Sequence, residues 1–161
     1  MSSETAIEIQ TTTESDVSYI VALQKKFSNQ VGFVPTTAIH DHISRRHYTI
    51  CKINGQHSSY ILQSGGTLKT VHLIQVAVEE KMWRSGIGTA ILDHVIQKNK
   101  TKRYPNVTAY VREDLQANSY FTSLGFQEVR KRPGGIARGK LIIEYVRLAS
   151  DDLLFDCPAP L

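Results

Sequence analysis

The sequence has little of what staples or anchors a chain. Its two cysteines, Cys51 and Cys157, lie far apart and carry neither metal-ligand nor redox spacing, so a disulfide framework and a cysteine metal site are both excluded. No apolar run approaches the roughly 20 residues of a membrane span. The first ten residues, "MSSETAIEIQ", are polar and lack a cleavable-signal pattern. The expected compartment is therefore the cytoplasm, with no membrane partner. Internal repeats are missing as well. What is present is 161 residues, 41% of them apolar and 21% charged with both signs mixed, a length and composition that fit one folded domain over residues 1–161. The tail at 149–161 follows no periodic pattern. A net charge of +4 is concentrated in "KNKTKR" (Lys98–Arg103) and "RKRPGGIARGK" (Arg130–Lys140), which fits either solvated basic loops or an anion-binding face.

Periodicity orders the chain. Ala6–Gln10 alternates like a short strand; "TTTESD" then offers N-cap residues before Val17, Ile20, Leu23 and Phe27, which recur at helical spacing. Thr36 or Thr37 can cap a second helix carrying Ile39 and Ile43. Two strands flank Asn54-Gly55, a strong hairpin signal. The run Val71–Val78 is almost wholly apolar, as for a strand buried on both faces. Ile87, Ile91, Leu92, Val95 and Ile96 then return to helical spacing, followed by a strand at "PNVTAYV", a helix at Asp114–Leu124 and two strands. The order βααβββαβαββ predicts a mixed α/β domain, with about four helices packing on a mostly antiparallel sheet of about seven strands.

The junction "WRSGIGT" between the Val71–Val78 run and the next helix carries the first chemical signal. A helix start exposes unpaired N–H groups and the positive end of the helix dipole; Arg84 adds charge, and glycines let a ligand approach the backbone. The expected ligand is a phosphate. The spacing is neither that of a Walker loop nor G-x-G-x-x-G. Farther on, "ANSYFTSLGFQEV" ends a helix at Leu124-Gly125-Phe126 and begins a strand.

Together, the buried strand, "R-S-G-I-G-T", the helix, the strand and the helix ending in "L-G-F" resemble the GCN5-related N-acetyltransferase (GNAT) superfamily. The resemblance implies the GNAT acyl-CoA-binding fold and, as co-substrate, acetyl-CoA or another acyl-CoA, with no metal. It implies that the backbone amides of Arg84, Ser85, Gly86, Ile87, Gly88 and Thr89 hold the pyrophosphate. The pantetheine arm would lie along Val76, Ala77 and Val78, where the strand splays from its neighbour.

The pattern also departs from the family. Trp83 stands where Gln or Arg is usual, and Asp114 occupies the common Asn position near the cofactor. Phe121 falls where many members carry a tyrosine that protonates the departing thiolate; as a cofactor-flanking residue it cannot do so. Tyr120 lies one residue away, about 100° around the helix, and is the catalytic candidate for that role, with a packed aromatic as the alternative. His72 matches a place where some members carry a catalytic Glu, and imidazole suits proton acceptance at neutral pH; the alternative is a structural strand histidine. Gln75 can orient a water or acceptor but cannot act as a base. His40 and His42 are two apart in a helix and share no face, which argues against a metal. His94 suits a surface position. The loop "SNQVGFVPTT" and the hairpin "RPGGIARGK" are where such folds form an acceptor pocket.

These features predict acetyl transfer from acetyl-CoA to a small-molecule or peptide amine by direct attack in a ternary complex. No cysteine is placed for an acyl-enzyme. Two other readings stay open: modification of a nucleic-acid base, motivated by the basic clusters, and a non-catalytic acyl-CoA-binding protein, motivated by Phe121. The oligomeric state is open too, a homodimer included.

Overall fold

Seven strands and four helices form in the order that the periodicity predicts: β1 (Ile7–Thr11), α1 (Val17–Lys26), α2 (Thr36–Ser44), β2 (Tyr48–Ile53), β3 (Gln56–Gln63), β4 (Thr70–Val78), α3 (Ile87–Thr101), β5 (Asn106–Arg112), α4 (Ala117–Ser123), β6 (Gln127–Pro133) and β7 (Leu141–Leu148). The computed structural model describes residues 4–29, 31–66, 69–101, 106–133 and 140–148. Cys157, the 149–161 tail, most of the hairpin at 134–139 and part of the Lys98–Arg103 cluster lie outside the described residues. The hydrogen-bonding order is β1-β2-β3-β4-β5-β7-β6. Strands β1–β2, β2–β3, β5–β7 and β6–β7 pair antiparallel, whereas β4 and β5 run parallel. No helix among the described residues is long and apolar enough to cross a membrane.

Contacts divide the chain into two units. The first comprises Met1–Gly65 and Ile74–Val95, the second Gly66–Leu73 and Ile96–Leu161. In the first, the helical spacing seen in sequence buries Ile20 and Leu23 of α1 and Ile39 and Ile43 of α2 against Tyr48, Ile50, Tyr60 and Leu62 of β2 and β3. Tyr48 and Tyr60 meet edge to face with ring centroids 5.7 Å apart. Pro35, not Thr36 or Thr37, holds the cap position of α2: its carbonyl accepts the Ile39 N–H at 2.9 Å, so the threonines fall inside the first turn. Cys51 is a buried free thiol.

A buried carboxylate anchors the entry to α1. Asp16 closes a 3-10 turn (Glu14–Asp16) and accepts the Thr13 N–H at 2.9 Å and His57 Nε2 at 2.7 Å, with Lys52 Nζ 3.7 Å away. Tyr19 stacks on the His57 ring at 4.4 Å. Burial alone pushes the Asp16 carboxyl up, but the Thr13 amide, the His57 ring and the Lys52 ammonium together hold it below the usual range. Because the folded value is the lower one, this contribution is complete above the unfolded value of about 3.9. It is lost as pH falls through the folded value. Denaturation midpoints measured from pH 7 to pH 3 should drop on the acid side, and Asp16→Asn should be less stable at pH 7 with a flatter acid limb. An Asn variant as stable as wild type at pH 7 would contradict this.

In the second unit, Val107, Ala109, Val111, Ile143 and Tyr145 form the buried face of β5 and β7, beneath Phe121 and Phe126. Helix α4 starts at Ala117, three residues later than the sequence pattern suggests. The reason is Asn118, whose Nδ2 donates to the carbonyls of Arg112 (3.0 Å), Glu113 (3.1 Å) and Leu115 (2.7 Å) and so holds residues 112–115 in a turn. Tyr145 Oη donates to Asn118 Oδ1 at 2.8 Å, which fixes that amide. At the other end, Gly125 takes φ +86° and the Phe126 N–H reaches back to the Phe121 carbonyl at 3.1 Å, the six-residue closure that stops the helix where the "LGF" pattern places it.

Candidate functional site

Strand β4 is buried on one face only. Val71, Leu73, Gln75 and Ala77 are buried, whereas the alternate positions His72, Val76 and Val78 are half-buried and Ile74 is 46% exposed. This corrects the expectation of a strand covered on both sides. The parallel ladder with β5 runs from Thr70↔Asn106 to Leu73↔Ala109, and β4 continues past its last pair to Val78.

Beyond Val78 the chain makes a tight, tied turn. The Glu79 N–H donates to Ser58 O at 2.9 Å, Glu80–Met82 forms a single 3-10 turn, and Trp83 Nε1 donates back to Val78 O at 2.9 Å. The indole also stacks on Phe27 at 6.0 Å, and Lys26 pairs with Glu79 at 3.3 Å. Trp83 thus binds the end of the strand to the glycine turn. Arg84 then adopts φ +63° and Gly86 φ +86°, both left-handed. For Arg84 this is a sparsely populated conformation, of the kind that persists where the surroundings enforce it.

The turn aims backbone donors at open space. The Ser85 amide and hydroxyl are used internally, on Met82 O. Gly86 caps α3, its carbonyl accepting the Ala90 N–H at 3.0 Å, so the amides of Ile87, Gly88 and Thr89 have no acceptor within the helix. A Cβ built on Gly86 meets nothing within 4 Å. Unspent amides, a helix N-terminus, an exposed Arg84 and an empty cradle over the glycine together fit a pyrophosphate.

The remaining residues singled out by sequence lie in the second unit. His72 pairs through Nδ1 with the Thr108 hydroxyl, its register partner on β5, and its ring lies 5.5 Å from that of Tyr110. Asp114 is exposed and accepts Arg112 Nε at 2.6 Å; that hydrogen bond, with the charge of the same guanidinium, holds its carboxyl below the usual range. Phe121 is buried in the aromatic core, 5.2 Å from Phe126 and stacked on Tyr145 at 6.1 Å. Tyr120, next in sequence, differs. Its hydroxyl is buried without a hydrogen-bond partner among the described residues, and burial pushes its pKa up, so the group stays a protonated donor. An orphaned buried donor costs about 1–3 kcal/mol and calls for an acceptor.

Other expectations resolve more simply. His40 pairs with Glu14 and His42 with His47 Nδ1 at 3.0 Å, so the two histidines face different partners. Of the basic cluster at Arg130–Lys140, Arg130 pairs with Glu144 and Lys131 with Glu128. His94 is exposed. A cavity of about 280 Å³ opens at the β2–β3 turn, lined by residues including Asn54, His57 and Lys81, and contains none of the residues expected from sequence.

Sequence reasoning missed a glutamine clamp. Gln75, on the buried face of β4, accepts Tyr60 Oη at 3.1 Å and donates to Gln24 Oε1 at 2.8 Å and to the Gly32 carbonyl. Gln24 in turn binds both backbone groups of Val34, accepting its N–H at 2.9 Å and donating to its carbonyl at 3.0 Å. The loop before α2 is therefore held at Gly32 and Val34, and Phe33 between them is 81% exposed. The signal was available: Gln75 shares the period-2 face of Leu73 and Ala77, and Gln24 follows Leu23 on the buried side of α1.

The acetyltransferase (GNAT) domain model matches residues 10–144 of the chain. The chain belongs to this family. Among solved GNAT structures, Ard1 from Thermoplasma volcanium superimposes with a TM-score of 0.77 at 17% identity, covering 89% of this chain and 97% of that one. The ribosomal-protein-S18-alanine N-acetyltransferase from Escherichia coli gives 0.74 at 18% identity, over 90% and 95%. N-acetylglutamate synthase from Neisseria gonorrhoeae, complexed with coenzyme A and N-acetyl-glutamate, gives 0.77 at 18% identity over 92% of this chain and 36% of that one. At such identities these likenesses show the fold. No curated protein matches the chain.

Proposed function

We propose that this GNAT protein transfers an acetyl group from acetyl-CoA to an amine by direct attack in a ternary complex. One observation carries the reading: the open, left-handed turn at Arg84 and Gly86, whose Cβ cradle and unspent α3 amides fit a pyrophosphate. Gly86, Ile87, Gly88 and Thr89 would bind it through N–H groups, with Arg84 adding charge; Ser85 serves the turn itself. Val76, Ala77 and Val78 would orient the pantetheine arm along the end of β4, past the last pair with β5. Bound acetyl-CoA supplies a thioester whose carbonyl carbon is open to attack.

The chain's own groups then manage protons. His72, hydrogen-bonded through Nδ1 to the Thr108 hydroxyl, would be the group that takes the proton of the attacking amine, directly or through water. Tyr120, protonated and without an acceptor, is the donor for the departing thiolate. Asp114 and Phe121 are assigned beside the cofactor on the family resemblance. Positioning supplies most of the rate in such a scheme. An amine acceptor is supported by structural relatives named for acetylating ribosomal-protein alanine and for making N-acetylglutamate.

Release of free thiol from acetyl-CoA across a panel of amines and peptides tests the reading; no release with any acceptor would overturn it. A second reading, an acyl-CoA-binding protein without transfer, is favoured by one observation, the burial of Phe121 in the aromatic core at the position of the usual tyrosine. Tight acetyl-CoA binding without thiol release would support that reading instead.

A further inference from the structure

The two faces of the second unit's strands carry different residues. Register places Thr108 beside His72, Glu144 beside Tyr110 and Arg130 beside Glu144, so these residues share a face with Arg132, two positions beyond Arg130. The opposite face carries Ala109, Val111, Ile143 and Tyr145, buried under Phe121 and Phe126.

Charge on the Tyr110 face is unevenly spent. Arg130 pairs with Glu144 and Arg112 with Asp114 at 2.6 Å. Arg132 pairs with no carboxylate among the described residues. Its guanidinium lies over the ring of Tyr110, Cζ 4.8 Å from the centroid, and the His72 ring meets that ring at 5.5 Å and 37°. Tyr110 is 39% exposed, unusual for a tyrosine in the middle of a strand unless something else uses its ring. Stacking on an aromatic face fixes the guanidinium plane and leaves its N–H edge for a bidentate partner.

We infer that Arg132, held over the ring of Tyr110, forms a subsite for a carboxylate carried by the acceptor, so that acidic amines are preferred. The inference rests on the acetyl-transfer reading and names the acceptor class for it. Among the described residues of this face, the one guanidinium without a carboxylate partner matches a monoanion, whereas phosphate readers gather several arginines. A second cation placed there meets like charge, which disfavours basic acceptors. Arg132 is the specificity-determining residue, Tyr110 its positioning residue.

The test uses four acceptor probes, glutamate, the C-terminally amidated peptide Glu-Glu-Ala, glutaminamide and the C-terminally amidated peptide Lys-Lys-Ala, against wild type, Arg132→Gln, Arg132→Lys, Arg132→Glu, Tyr110→Phe and Tyr110→Leu. Two readouts run together: probe binding by ligand-observed NMR with coenzyme A present, and thiol release from acetyl-CoA. The expected result is tighter binding of the acidic probes, and a KM for glutamate about tenfold or more higher in Arg132→Gln with kcat held. Arg132→Lys and Tyr110→Phe should retain much of the preference, Tyr110→Leu should weaken it, and Arg132→Glu should turn it towards Lys-Lys-Ala. Preference for glutamate over Glu-Glu-Ala, or the reverse, distinguishes a free acid from an acidic peptide as the carboxylate's source. Glutaminamide binding as well as glutamate, or an unchanged KM in Arg132→Gln, overturns the subsite. Acidic probes bound through Arg132 without thiol release would instead overturn the transfer reading and leave the subsite standing.

Discussion

Gly86→Leu is expected to abolish acetyl-CoA-dependent thiol release and to weaken coenzyme A binding by roughly 100-fold or more, while the protein stays folded. Two effects separate here. The backbone at Gly86 sits at φ +86°, where an L side chain costs about 1–2 kcal/mol, a loss that for a chain of this size lowers Tm by roughly 2–8 °C. The larger effect is occlusion. A leucine at 86 enters space in which a Cβ meets no atom within 4 Å, the space assigned to the pyrophosphate. Losing two charge-assisted hydrogen bonds at about 1.5–3 kcal/mol each accounts for a hundredfold or more. Gly86→Ala carries nearly the same strain with far less bulk, so calorimetric titration of both variants with coenzyme A separates the two. Equal affinities for wild type and Gly86→Leu would remove the turn from the cofactor site.

His72→Ala is expected to lower kcat by about 10²–10⁴, the range for a positioned proton acceptor, with little change in the KM for acetyl-CoA. His72→Gln is the sharper variant, because its amide can still reach the Thr108 hydroxyl yet cannot take a proton. In both variants the loss should fall on turnover, with acetyl-CoA binding measured by calorimetry close to that of wild type. If His72 only packs between Thr108 and Tyr110, the variants will lose stability and keep kcat. Tyr120→Phe should act later and more weakly, slowing turnover while relieving a buried unpaired hydroxyl and so raising Tm.

Local chemistry made most of the fold legible. The 3.6-residue spacing of Ile20 and Leu23 and of Ile91, Leu92 and Val95, the Asn54-Gly55 turn and the Gly125 stop each act within a few residues, and each element sits where those signals put it. The turn at Arg84–Gly86 was visible for the same reason, since a left-handed backbone before a helix asks for glycine nearby.

What stayed hidden depends on partners distant in sequence. Helix α4 begins late because the Asn118 amide holds three upstream carbonyls, a contest that its own periodicity does not record. Gln75 looked like a site residue in an apolar run; its buried face and its bonds to Tyr60, Gln24 and Gly32 make it a clamp on the loop before α2. Tyr110 and Arg132 were unremarked because only the register of β5, β7 and β6 brings them together.

The account stands on coenzyme A meeting the glycine turn, and the most direct measurement is a backbone amide NMR titration of the protein with coenzyme A. The largest shifts are predicted at Gly86, Ile87, Gly88 and Thr89, followed by Val76–Val78. Unmoved resonances at those positions, with the shifts concentrated instead around the Asn54–His57–Lys81 cavity, would contradict it.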